Sequence, residues 1–200
     1  MHNPTPQWLT RTRTQLSDDF TDLDQQYSAL YRACSREQLL WRPANSSWSI
    51  AECIEHVAMS ISQYLEPIRA AIAKGCPPAT EQTYAFVAGG WFSSAFLKRI
   101  GPNVGSKFKA PGKLRPLSLD PEKAFANLRR EHEEVQRLLA ETAQLELNRI
   151  RFRNPFIPLL RFTVATGFLV MAAHGRRHLL QAERVTQANG FPQSRAEQNA

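Results

Sequence analysis

The stretch Phe162 to Ala173 is apolar on nearly every side of a helical wheel, and it runs directly into His174, Arg176, Arg177 and His178. A helix that is apolar all round has to be enclosed by other elements. A bilayer would need about 20 such residues, and this run is stopped by Pro158 and Arg161 upstream and by the His-Arg cluster downstream. It therefore predicts a central helix, from about Leu159 to Ala188, surrounded by partner helices. A second segment, Tyr84 to Ile100, contains Gly89-Gly90 and closes on Lys98-Arg99. It too reads as a buried helix rather than a membrane span.

The partners are visible as apolar stripes of helical period. Phe20, Leu23, Tyr27, Leu30, Tyr31 and Cys34 recur at spacings of three and four, which predicts a first helix over roughly Gln7 to Cys34. Ser35 and Gln38 have capping-box spacing and start a short turn before Pro43 breaks the chain. Ser49 and Glu52 form a second such box. Behind it Ile50, Cys53, Ile54, Val57, Ile61 and Leu65 build a helix that Pro67 interrupts and Gly75 ends. Asp120 followed by Pro121 is the start of a third long helix, with Phe125, Leu128, Val135, Leu138 and Leu139 as its stripe to about Thr142. No strand alternation is convincing. The expectation is an all-α four-helix bundle, with a short helix (Tyr84 to Arg99) and a long loop inserted between helices two and three.

Length and composition fit this. A chain of 200 residues, 42% apolar and 22% charged, can bury one full core and is not a disordered polymer. One domain over 1–190 and a polar, frayed tail over 191–200 are expected. Met1 to Gln15 has no apolar core of a signal peptide. Cys34, Cys53 and Cys76 are odd in number and lack CxxC spacing, so buried thiols in a reducing, cytoplasmic setting are expected. The net charge of +7 is concentrated in Lys98, Arg99, Lys107, Lys109, Lys113 and Arg115, and again in Arg149, Arg151, Arg153 and Arg161. Such stretches attract anions, or simply solvate a basic surface. No helix-turn-helix or zinc-finger spacing accompanies them, so nucleic acid is not the expected partner.

The residues that carry chemistry are histidines. His174 and His178 are one turn apart on one helical face, where the helix otherwise buries apolar groups. Two inward imidazoles at this spacing can share a metal ion, or be a hydrogen-bonded core pair. No glutamate lies between them, which excludes the H-E-x-x-H metalloprotease arrangement. For a third ligand, His132 lies within the stripe of its helix and His56 to the side of its own. Periodicity alone favours His132.

Several segments in order resemble the DinB-like superfamily. These are Trp41-Arg42-Pro43; Trp48-Ser49-Ile50-Ala51-Glu52-Cys53-Ile54-Glu55-His56-Val57; Lys107 to Pro116; and His174-Gly175-Arg176-Arg177-His178 with Leu179 and Gln181. The resemblance spans about Asp19 to Val185. It implies a four-helix bundle in which an early histidine on helix two joins the final pair on one divalent metal ion, commonly nickel, zinc or iron. Carried over by position, the ligands are His56, His174 and His178, and His132 is a core-edge residue. Three imidazoles leave coordination positions open, as in catalytic sites. Glu52 and Gln181 are candidate acceptors for the outer ring N–H groups.

The resemblance also implies enzymatic activity on a small-molecule substrate. One activity is transfer of a low-molecular-weight thiol, its anionic groups held by Lys107, Lys109, Lys113 and Arg115 and its apolar wall built by Trp91 and Phe92. The alternatives are a metal-dependent hydrolase and a non-catalytic binding or stress-response protein. The resemblance further implies a homodimer, with the aromatic Tyr84 to Ile100 insertion either suiting its interface or capping the bundle of one monomer.

Overall fold

The computed structural model describes residues 9–75, 77–78, 85–102, 114 and 119–193. Among these, four long helices form the body: α1 (Arg13–Ala33), α3 (Ile50–Ala73), α5 (Pro121–Glu141) and α6 (Val164–Thr186). Two shorter ones, α2 (Arg36–Leu40) and α4 (Trp91–Ile100), lie between them. None is long and apolar enough to cross a membrane.

Local chemistry sets each start. Thr12, Ser35 and Ser49 each cap the amide three residues on, while Gln15, Gln38 and Glu52 reach back to the capping residue's own N–H. These reciprocal bonds satisfy donors that a helix N-terminus leaves open. Asp120 caps α5 through the Glu122 amide, and Pro121 occupies the first helical position. Thr163 caps α6 by accepting from Thr166 N at 3.0 Å.

The packing order differs from the chain order. Helix α3 lies against α5 and α6, and α1 lies against the same two. Around the bundle the sequence is thus α1, α5, α3, α6, so consecutive long helices α1 and α3 sit across the diagonal. Phe20, Leu23, Tyr27, Ile54, Ile61, Leu128, Val135 and Phe168 fill the centre. Each large apolar side chain so enclosed contributes roughly 1.5–3 kcal/mol. Helix α6 is buried on nearly every side over Val164–Ala173, as its composition predicts.

The sequence reading needs three corrections. Helix α6 starts at Val164, not Leu159. Arg161–Thr163 forms strand β4, paired antiparallel with β3 (Arg151–Arg153), and the apolar run hid this because both structures suit it. The insertion is a strand, β2 (Ala85–Val87), followed by α4. Gly90, at φ 92°, separates the two, and β2 pairs with β1 (Thr10–Thr12). Three-residue strands are too short to reveal alternation. Finally, the start of the tail is held. Gln38 donates to Pro192 O at 2.7 Å and Phe191 stands edge-on to Trp41, 5.6 Å between centroids. Residues 194–200 lie outside the described residues.

Candidate metal centre

Helix α6 is fixed in rotation by what lies between its two histidines. Gly175 faces α1: a Cβ there would lie 3.1 Å from Leu23 Cδ1, and Tyr27 Oη donates to Gly175 O at 2.8 Å. Arg176 turns the same way, to Asp22 and to Gln26 Oε1. Arg177 reaches Gly101 O at the end of α4, 3.2 Å away. At about 100° per residue, these contacts leave His174 and His178 turned toward α3.

His56 meets them there. Its Nε2 is 3.0 Å from His174 Nε2, and the ring centroids of the three imidazoles are 4.5–5.1 Å apart. One nitrogen from each falls in a group whose members lie within 4.8 Å of one another, and no Cys, Asp or Glu joins the group among the described residues. His56 and His178 are buried, and His174 is partly so.

Burial, first of all, pushes the pKa of all three below the ordinary histidine value. For His174 and His178 the neighbouring imidazoles and Arg177 push further in the same direction. The rings are neutral, with lone pairs available. His56 Nδ1 donates to Leu114 O at 2.9 Å, which fixes the tautomer with the Nε2 lone pair facing the cluster. His178 Nδ1 is buried with no hydrogen-bond partner among the described residues. Two imidazole nitrogens bound to one tetrahedral ion lie about 3.3 Å apart. The donor set, its spacing and the unpartnered nitrogen therefore fit a divalent metal ion.

The surroundings include residues that sequence reasoning did not assign to the site. Trp48 lies against both His56, 4.7 Å, and His178, 5.7 Å and nearly parallel, and so forms one wall. Ser60, one turn beyond His56, donates to His56 O at 2.7 Å and sits 3.4 Å from His174 Nε2. Leu114 supplies the outer acceptor through its backbone carbonyl, which no sequence signal marks.

The other expected site residues fall elsewhere. Glu52 accepts from Ser49 N at 2.8 Å and from Arg42 at 2.6 and 2.8 Å, so its carboxylate serves the cap and an ion pair, with no imidazole among its partners. Gln181 stands near His178, where its amide opposes the downward pKa shift. His132 is buried between α1 and α5 against Phe20 and Tyr27, with Asp24 Oδ1 3.6 Å from Nδ1. It is inside the core rather than at its edge and takes no part in the cluster. Trp91 and Phe92 are exposed and stack edge-to-face on each other. Gly101, at the far end of their helix, is what meets Arg177, and Gly89, just before that helix, donates to Thr166 Oγ1 near the start of α6. Lys107, Lys109, Lys113 and Arg115 lie outside the described residues. Cys34 and Cys53 are free thiols, Cys53 fully buried and its pKa pushed far up, first by burial.

Comparison with known proteins agrees with this architecture. A solved structure described as "YfiT from Bacillus subtilis is a probable metal-dependent hydrolase with an unusual four-helix bundle topology" superposes with a TM-score of 0.59. It is 12% identical over 90% of this chain and 89% of that one. At that identity the likeness is one of fold. No curated protein matches in sequence. The family model of the DinB superfamily matches residues 8–182, which include all three clustered histidines and every helix that positions them. The chain belongs to the DinB superfamily.

Proposed function

We propose that this protein is a divalent-metal-dependent enzyme acting on a small molecule, with nickel, zinc or iron held by His56, His174 and His178. The observation that carries this is the convergence of three neutral imidazoles from two helices, with no carboxylate or thiolate completing the set among the described residues. A closed structural site needs four protein ligands, whereas three leave room for a reactant. A bound ion would supply a Lewis acid that acidifies a water or thiol and polarises a carbonyl.

The chain's own residues set the conditions for that chemistry. The Leu114 carbonyl holds the His56 proton on the outer nitrogen. Trp48 excludes water from one side of His56 and His178. Arg177 adds positive charge near the imidazoles, which favours an anionic reactant. Hydrolysis is the primary reading, supported by the description of the structural neighbour YfiT. Thiol transfer is the second. It draws on Leu114, whose chain neighbours Lys113 and Arg115 could hold the carboxylates of a thiol. A cytoplasmic setting fits the two free cysteines.

Elemental analysis tests the core of the proposal. Purified wild type should carry about one metal ion per chain, and the His174→Ala/His178→Ala variant none. Equal, negligible metal in both would reduce the histidines to packing residues. With cobalt in the site, a change of visible spectrum on adding glutathione or bacillithiol supports thiol transfer. An unchanged spectrum leaves hydrolysis.

A further inference from the structure

Among the described residues, two of the six exposed large apolar side chains, Ile157 and Leu159, stand two positions apart in the chain. Ile157 and Leu159 lie in the turn of the β3–β4 hairpin, closed by Asn154 N donating to Leu160 O at 2.8 Å. Leu159 is wholly exposed, and at φ 67° it holds a backbone conformation that disfavours a side chain. A soluble surface would place a glycine or asparagine there.

The same hairpin carries Arg149, Arg151, Arg153 and Arg161, all exposed and none with a side-chain partner among the described residues. Arg153 and Arg161 are directly opposed across the strands, a like-charge pairing that costs stability. Phe152 and Phe162 hold the inward face, so the arginines share the outward one. Neither 85–102 nor 147–182 contains an Asp or Glu.

We propose that the β3–β4 hairpin docks onto an anionic lipid surface, with its arginines on the headgroups and Leu159 and Ile157 in the acyl boundary. Apolar tips beside cations are what an interface rewards on both counts. A second copy of the chain fits worse, because a two-fold interface would set arginine against arginine with no acid from either side. Nucleic acid would use the arginines but gains nothing from an exposed leucine at a turn.

The test is sedimentation of the full chain with vesicles of phosphatidylcholine containing roughly 30% phosphatidylserine, beside pure phosphatidylcholine. Binding is expected only to the anionic vesicles, and it should disappear at about 0.5 M salt. Arg153→Ser/Arg161→Ser should weaken it about 25-fold, about fivefold per arginine. Leu159→Ser should weaken it roughly tenfold, with thermal melting no lower than wild type. Absence of binding to the anionic vesicles overturns the proposal. So does duplex DNA binding that is unaffected by Leu159→Ser, or a solution dimer that the same substitution dissociates without any vesicle binding.

Discussion

Acidifying the metal-free protein should unfold it through the histidine cluster. The folded pKa of His56, His174 and His178 is depressed, chiefly by burial, while in the unfolded chain each titrates near 6.5. Protonation therefore favours the unfolded state. The stability involved is fully present above about pH 6.5 and is lost as pH falls toward the lowered folded values. Each proton bound by the unfolded chain alone costs about 1.4 kcal/mol per pH unit. His174 and His178, held furthest down, contribute most. Three such groups set a ceiling of about 4 kcal/mol per unit, a large share of the roughly 5–15 kcal/mol that holds a domain folded. Urea unfolding in a chelator, repeated from pH 7.5 to 5 (a window of about one unit either side of 6.5), measures the slope directly. A His56→Asn/His174→Gln/His178→Gln variant should show most of that slope removed. If wild type and variant fall off in parallel, the buried imidazoles are not the acid-sensitive element and the reasoning fails.

Three further outcomes follow from the geometry. Glu52→Gln breaks the Arg42 pair and weakens the cap of α3, lowering stability by about 1–2 kcal/mol in chemical denaturation, yet metal content should stay at the wild-type level. Trp48→Ala removes the wall over His56 and His178, so competition with a chromophoric chelator should show affinity for zinc reduced by about tenfold or more. Gly167→Ala places a Cβ 2.8 Å from Ile68 Cδ1 and 3.0 Å from Phe152 Cε1. That overpacking should cost about 1–3 kcal/mol, read as a lowered Tm.

The helices were legible because their signals are local. Ser49 with Glu52, Asp120 with Pro121, and the His174/His178 pair each act over three or four residues, and each does in the structure what its spacing predicts. His56 was different. A single stripe marks a single buried face, but α3 packs against both α5 and α6. His56 faces α6, beside the stripe rather than in it, so periodicity pointed to His132, and the family resemblance supplied the residue that meets His174 and His178 in the structure. What stayed hidden depends on distant chain segments meeting. The Leu114 carbonyl, the Trp48 wall and the three-residue strands have no local pattern that a sequence could display. Arg161–Thr163 shows why: its apolar character suits a buried strand as well as a buried helix.

The diagonal placement of α1 and α3 also bears on how the protein is made. His56 and His174 are 118 residues apart in the chain. At roughly 5–20 residues per second, α3 spends roughly 6–24 s in synthesis without the helix that covers its histidine face. Over that interval Ile54, Val57, Ile61 and their neighbours on α3 have only part of their final burial. The three imidazoles are all present only once residue 178 has been added. A product released before residue 174 carries one of the three, so on the proposed function metal retention would separate such truncated molecules from finished ones.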